Sequence, residues 1–210
     1  MSFFIANNRC AYIKKRGARL DANRLTFDEK HGIIISPKIR NLQVRMVKTL
    51  YMIGGTMGVG KTTVCQQLKQ DLPSSVFLDG DWCWDASPFQ VTDETKALVM
   101  DNICHLLNNF LKCSAYENII FCWVMHEQNI INSILEKLAI QNCAVKCISL
   151  IADEKTLRDR LSMDVERGIR TADVIERSVS RIPLYQTLNT IKIDTNEKTA
   201  AMIANEINQL

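Results

Sequence analysis

Residues Gly55, Thr56, Met57, Gly58, Val59, Gly60, Lys61 and Thr62 spell G-x-x-x-x-G-K-T. Between a strand and a helix, such a run is built to hold phosphates. Glycines let the backbone curl until successive N–H groups point at phosphate oxygens. A helix that begins near Gly60 adds its positive N-terminal end. Lys61 reaches toward the outer phosphates, and the Thr62 hydroxyl is a candidate magnesium ligand. Thr63 follows in the same first turn as a further cofactor-binding candidate. The run predicts a nucleoside triphosphate site. It leaves the fate of the terminal phosphate open, because GTPases, motor-like ATPases and small-molecule kinases share the loop.

One helix further on, "VFLDGDWCWDASPF" sets Asp79, Asp81 and Asp85 among Trp82 and Trp84. The apolar run before Asp79 predicts a strand, and open α/β sheets bind ligands at strand ends. Asp79 and Asp81, two apart at that strand end, are candidate site carboxylates. Asp85 has no assigned role. Trp82, directly after Asp81, is a candidate wall for a ring-bearing acceptor, whereas Trp123 is expected in the core. His126 ends a further predicted strand. It is either an acceptor contact or a structural histidine.

Phosphoryl transfer also needs mobile positive charge. Residues 160–181 hold Arg160, Arg167, Arg170, Arg177 and Arg181. "MDVERGIRTAD" reads as a short lid between helices, with Gly168 easing its turn. Arg177 and Arg181 are four apart and share a helical face. Each arginine has a competing reading as a surface residue paired with Asp159, Glu166 or Glu176.

The elements that must position these groups alternate from Lys48 onward. Strands are expected at "TLYMIGG", "SVFLDG", "NIIFCWVMH", "AVKCISLI" and "TIKIDT". Helices are expected at "GKTTVCQQLKQDL", "TDETKALVMDNICHLLNNFLKC", "EQNIINSILEKLAI", "DEKTLRDRLSMDVERG", "ADVIERSVSRIPLYQTL" and "EKTAAMIANEINQL". Asp153 is the expected N-cap of the fourth. The alternation predicts an α/β fold: a five-stranded parallel sheet with helices on both faces, plus a short lid.

Composition sets outer bounds. At 47% hydrophobic and 23% charged, the 210 residues suit a globular domain. No apolar run reaches the roughly 18–20 residues of a membrane helix. The start lacks a signal-peptide core, so a cytoplasmic protein without membrane contact is expected. Of eight cysteines, several sit inside apolar runs and none forms C-x-x-C, which argues for reduced, buried thiols. Residues 1–45 carry ten Lys/Arg against three Asp/Glu, whereas the remainder carries sixteen against twenty. The basic excess is therefore local, and no nucleic-acid partner is expected. Residues 1–45 read as an N-terminal extension, disordered or the product of an upstream start, with a possible hairpin at "RLTFDEKHGIII". Residues 46–210 read as the functional domain.

From about Lys48 to Leu210 the chain resembles the small-molecule P-loop kinases: nucleoside-monophosphate, shikimate, gluconate and antibiotic-phosphorylating kinases. The phosphate loop carries the likeness first. "FLDGD" is similar to the D-x-D of shikimate kinases, which implies Asp79 near Mg²⁺ and Asp81 at the acceptor hydroxyl. "SRIPLYQTLNTIKIDTN" is similar to that family's R-x-P-L-Y tail. It implies a substrate-side role for Arg181 and a nucleotide-side loop at Asp194, Thr195 and Asn196. Arg167 and Arg170 would be lid arginines. The family's F-R-x-x-E and triple glycine are missing, so the resemblance argues against shikimate itself. No strand-end Asp follows "IIFCWVMH", and no N-K-x-D occurs, which points to ATP with Mg²⁺ rather than GTP. The resemblance implies transfer from ATP to a small-molecule acceptor. A regulatory NTPase without such an acceptor is the alternative.

Overall fold

The computed structural model describes residues 25–28, 32–35 and 47–210. It divides into two units, Met1–Arg45 and Met46–Leu210. In the first unit, β1 (Leu25–Asp28) pairs antiparallel with β2 (Gly32–Ile35), Leu25 opposite Ile35. The remaining extension residues and Cys10 lie outside the described residues.

The second unit is a parallel sheet of five strands: β3 (Lys48–Gly54), β4 (Ser75–Asp79), β5 (Asn118–Cys122), β6 (Cys143–Ile151) and β7 (Ile191–Asp194). Their order across the sheet is β4-β5-β3-β6-β7. The central strand β3 is almost wholly apolar because both its faces are covered. Side chains alternate across a strand. Tyr51 and Ile53 therefore pack on one face against α1 (Lys61–Asp71) and α7 (Ala200–Asn208). Leu50 and Met52 pack on the other with α2 (Asp93–Lys112) and α3 (Gln128–Glu136). The α/β expectation is met. Among the described residues no helix is long and apolar enough to cross a membrane, and the seven described cysteines are free.

Four local differences bear on the site. β5 stops at Cys122, four residues short of His126. Its pairing ends where β3 turns into the phosphate loop: Trp123 N still donates to Ile53 O at 3.3 Å, and Met125 then takes a positive φ of 40°. Trp123 and His126 are thus loop residues rather than strand residues. Gly80–Trp84 form a 3-10 turn where no helix was expected. The Asp79 carboxylate starts it by accepting from Asp81 N at 3.1 Å. The predicted helix over 172–188 is two short ones, α5 (Asp173–Val179) and α6 (Ile182–Thr187). Pro183 fits only the first turn of α6, because it cannot donate within a continuous helix. Between β6 and α5, α4 (Glu154–Glu166) is capped as expected, Asp153 accepting from Thr156 N at 2.7 Å.

Candidate active site

Gly60 is the N-cap of α1, at φ 100°, and no side chain caps the helix. The free N–H groups of the first turn therefore remain open to an anion. Gly55 is fixed by crowding: a Cβ there would stand 2.7 Å from Val59 Cγ1 and 2.9 Å from Leu150 O. Lys61 Nζ folds back and donates to Thr56 O at 3.0 Å. Burial lowers its pKa, while the carboxylates of Asp81 and Asp79 push the other way. The hydroxyl of Thr56 turns outward to Ser178 of α5, at 3.1 Å from its carbonyl oxygen.

The end of β4 faces this loop. Thr62 Oγ1 donates to Asp79 Oδ2 at 2.7 Å, and Asp79 is buried, 5% exposed. Asp79 and Thr62 offer hard oxygen donors side by side. Magnesium is held in this way, by one or two carboxylates completed by substrate phosphates rather than by a protein cage. No group of three or more acidic, His or Cys ligands occurs among the described residues. Asp81 opens onto the cleft. Partial burial raises its pKa, and Asp79 raises it further. Lys61, the Trp123 side chain and Arg170 oppose the rise. Gly80 between them has no room for a side chain, since a Cβ would stand 2.6 Å from Trp123 Cγ.

A cleft of about 410 Å³ runs along the loop. Residues 57–64, Asp81 and Val124 line it. Arg160, Met163, Lys198 and Ile203 line it as well. Arg167 and Arg170 both line it, with Arg170 Nε donating to Asp164 Oδ2 at 3.2 Å. Arg177 instead pairs with Asp173 at 2.9 Å, a partner the sequence did not suggest.

The remaining candidates do not line this cleft. Trp82 is 57% exposed and meets Phe77 in a near-T-shaped pair, centroids 5.2 Å apart. Asp194, Thr195 and Asn196 serve the strand end. Asp194 Oδ1 accepts from Asn196 N at 2.9 Å, and Asn196 Oδ1 accepts from Asp153 N at 3.1 Å. Thr195 is buried and holds Arg160, whose Nη2 donates to Thr195 O at 2.8 Å. The cleft wall begins just after them, at Lys198 and Ala200. His126 sits with Arg181 in a separate corner. Burial lowers the His126 pKa, the Arg181 charge lowers it further, and Glu127 opposes both. His126 Nδ1 has no hydrogen-bond partner among the described residues.

Sequence reasoning missed Ser178, Lys198 and the Trp123 contact to Asp81. Ser178 carries no motif. Lys198 and Ile203 had a signal in the start of a helix after the last strand.

The family model described as "AAA domain" matches residues 52–180. No curated protein matches. Among solved structures, a gluconokinase from Sinorhizobium meliloti 1021 is 16% identical, with a TM-score of 0.55, covering 77% of this chain and 90% of that one. The APS kinase of Mycobacterium tuberculosis, solved with AMPPNP and APS, is 13% identical at a TM-score of 0.58, covering 77% and 96%. A shikimate kinase from Acinetobacter baumannii, in complex with shikimate, is 20% identical at 0.53, covering 78% and 93%. At these identities the likeness is one of fold. The family match spans more than half of the chain and takes in the phosphate loop, the Asp79–Asp81 turn and the arginines from Arg160 to Arg177, and stops one residue before Arg181. This chain therefore belongs to the AAA domain family and has the fold of the small-molecule P-loop kinases.

Proposed function

We propose that the protein is an ATP-dependent phosphotransferase acting on a hydroxyl or phosphate of a small molecule. The observation that carries this reading is the meeting of Thr62, Asp79 and Asp81 at the edge of the phosphate loop. A carboxylate on the β4 end that bonds the loop threonine is placed for metal work. A second carboxylate two residues on, facing the cleft, is placed for the acceptor. The three solved relatives named above are kinases, which supports the same class.

The open N–H groups of the loop and first turn bind the polyphosphate. Lys61 leaves Thr56 O for the outer phosphates. Thr62 and Asp79 would hold Mg²⁺, which supplies charge neutralisation across the phosphates when bound. Asp81 orients the acceptor and takes its proton as the acceptor oxygen bonds to the γ-phosphorus and the bond to the ADP oxygen breaks. Its raised pKa makes it a better base than an ordinary carboxylate. Arg167 and Arg170, from the lid segment, cover the transferring charge, and Arg181 waits on the acceptor side. Free buried thiols support a reducing, cytoplasmic setting.

A screen of metabolite pools for ATP-dependent phosphorylation tests the class, with Lys61→Ala as the blank. Once an acceptor is found, Asp81→Ala should abolish transfer and spare ATP binding. Turnover retained in that variant would sink the assignment of Asp81.

A further inference from the structure

Ser178 lies in α5, fully buried, in a stretch that no motif marks. Its hydroxyl donates to the Met57 carbonyl at 2.6 Å. The Thr56 hydroxyl stands 2.8 Å from the same Oγ and 3.1 Å from the Ser178 carbonyl oxygen. A hydroxyl has a single proton. That of Ser178 goes to Met57, so the Thr56 proton is shared between Ser178 Oγ and Ser178 O.

The Met57 carbonyl and the Gly58 N–H belong to one peptide. In a trans peptide the two point to opposite sides. A carbonyl drawn outward to α5 therefore turns the Gly58 N–H away from α5, toward the phosphate side of the loop. Gly58 has a φ of 79°, and glycine tolerates either sign of φ, so the peptide can flip cheaply once released. Flipped, it would aim an oxygen at the phosphates instead of a proton. On its other flank Gly58 packs against Leu161 of α4, where a Cβ would come within 2.7 Å. The two helices that bound the lid segment thus grip the same peptide.

We propose that Ser178 is a positioning residue of the phosphate site, whose hydroxyl holds the Met57–Gly58 peptide with its N–H facing bound polyphosphate. The proposal rests on the phosphate-binding half of the function proposed above and needs no acceptor. A serine that only satisfied buried polar groups would affect stability and leave phosphate binding alone.

The test uses the full chain and inorganic tripolyphosphate, titrated by calorimetry and followed at the Gly58 amide by ¹H–¹⁵N spectra. In the parent protein the Gly58 amide should move on titration. In Ser178→Ala, binding should weaken by roughly five- to tenfold, and the Gly58 response should shrink while amides of β3 and β6 keep their positions. Unchanged affinity with an unchanged Gly58 response overturns the proposal, whatever happens to the melting temperature. If the alanine variant does not fold, Ser178→Cys, of similar volume and with a weaker donor, decides on the same two readouts. A parent protein that binds no tripolyphosphate overturns both this proposal and the functional reading. One that binds it but phosphorylates nothing overturns only the latter.

Discussion

At the phosphate end of the cleft, Thr56, Met57, Lys61 and Thr62 each have a bonded partner, and Gly55 and Gly58 leave no space for a methyl group. Beyond Asp81 the chain is held differently. Trp82, Phe89, Val91 and Leu98 are exposed, and Trp84 and Phe89 lean on each other with centroids 4.9 Å apart. One end is pre-organised for a group that every nucleoside triphosphate carries. The other presents exposed apolar side chains beyond Asp81. Preorganised dipoles do the most for transferring charge, so the rigid end should carry the rate and the open end the choice of acceptor.

The largest expected effect follows from removing the loop cation. Lys61→Ala should cut kcat/KM by at least ~10²-fold, the scale set by losing one preorganised charge-stabilising group. A loss below about tenfold would mean that the rigid end does not dominate the rate. Next is Gly80→Ala, at the seam between the two ends. Its Cβ would meet Trp123 Cγ at 2.6 Å, in a turn that also fixes Asp81. Overpacking of this kind costs about 1–3 kcal/mol. Thermal unfolding should show that loss, and kcat should fall with ATP affinity kept. If ATP affinity falls in step, the seam belongs to the phosphate end instead.

The pH response of Asp81 separates the ends more gently. Its native pKa is raised, so the native state holds this proton more tightly than the unfolded chain does. Stability is therefore lost as pH rises from the ordinary carboxylate range through the raised native value. Asp81→Asn removes the loss, so it should raise the melting temperature at neutral pH and change little below the unfolded pKa. The acid limb of kcat should likewise lie above that of an ordinary carboxylate. An equal melting temperature at every pH would mean that Asp81 is not strained by its surroundings.

The same division decides what the sequence could reveal. G-x-x-x-x-G-K-T is legible because its chemistry lies in the backbone, and only glycine allows that backbone; strand and helix alternation is legible because burial on two faces demands apolar runs. Asp79 could be read because it follows such a run directly. The 3-10 turn at Gly80–Trp84 could not, since it depends on the Asp79 carboxylate accepting from Asp81 N and on Trp123 arriving from the loop after β5. The early end of β5 depends on where β3 leaves the sheet, not on the apolar run "FCWVMH". Asp194–Asn196 were read as nucleotide contacts from a local likeness. In three dimensions they brace Arg160 and Asp153, and the wall itself starts at Lys198. Ser178 is informative only once α5 is packed on the loop.

Trp82 gives the smallest expected effect and the finest test of the open end. By sequence it belongs beside the acceptor, next to Asp81. By geometry it makes a near-T-shaped pair with Phe77, on the α1 side of the sheet, and it does not line the cleft. An edge-on aromatic pair contributes about 0.5–1.5 kcal/mol beyond its buried area. Trp82 is more than half exposed, at 57%, so Trp82→Ala should cost no more than the lower part of that range in unfolding experiments. Kinetically it should leave the KM for ATP and for the acceptor within about twofold, because no reacting group leans on it. A rise in acceptor KM of tenfold or more, with kcat kept, would show that the 3-10 turn re-forms around the acceptor and swings Trp82 inward. The open end would then be a surface that folds onto its substrate, and the contrast with the pre-organised loop would be one of timing: bonds made before binding at one end and during it at the other.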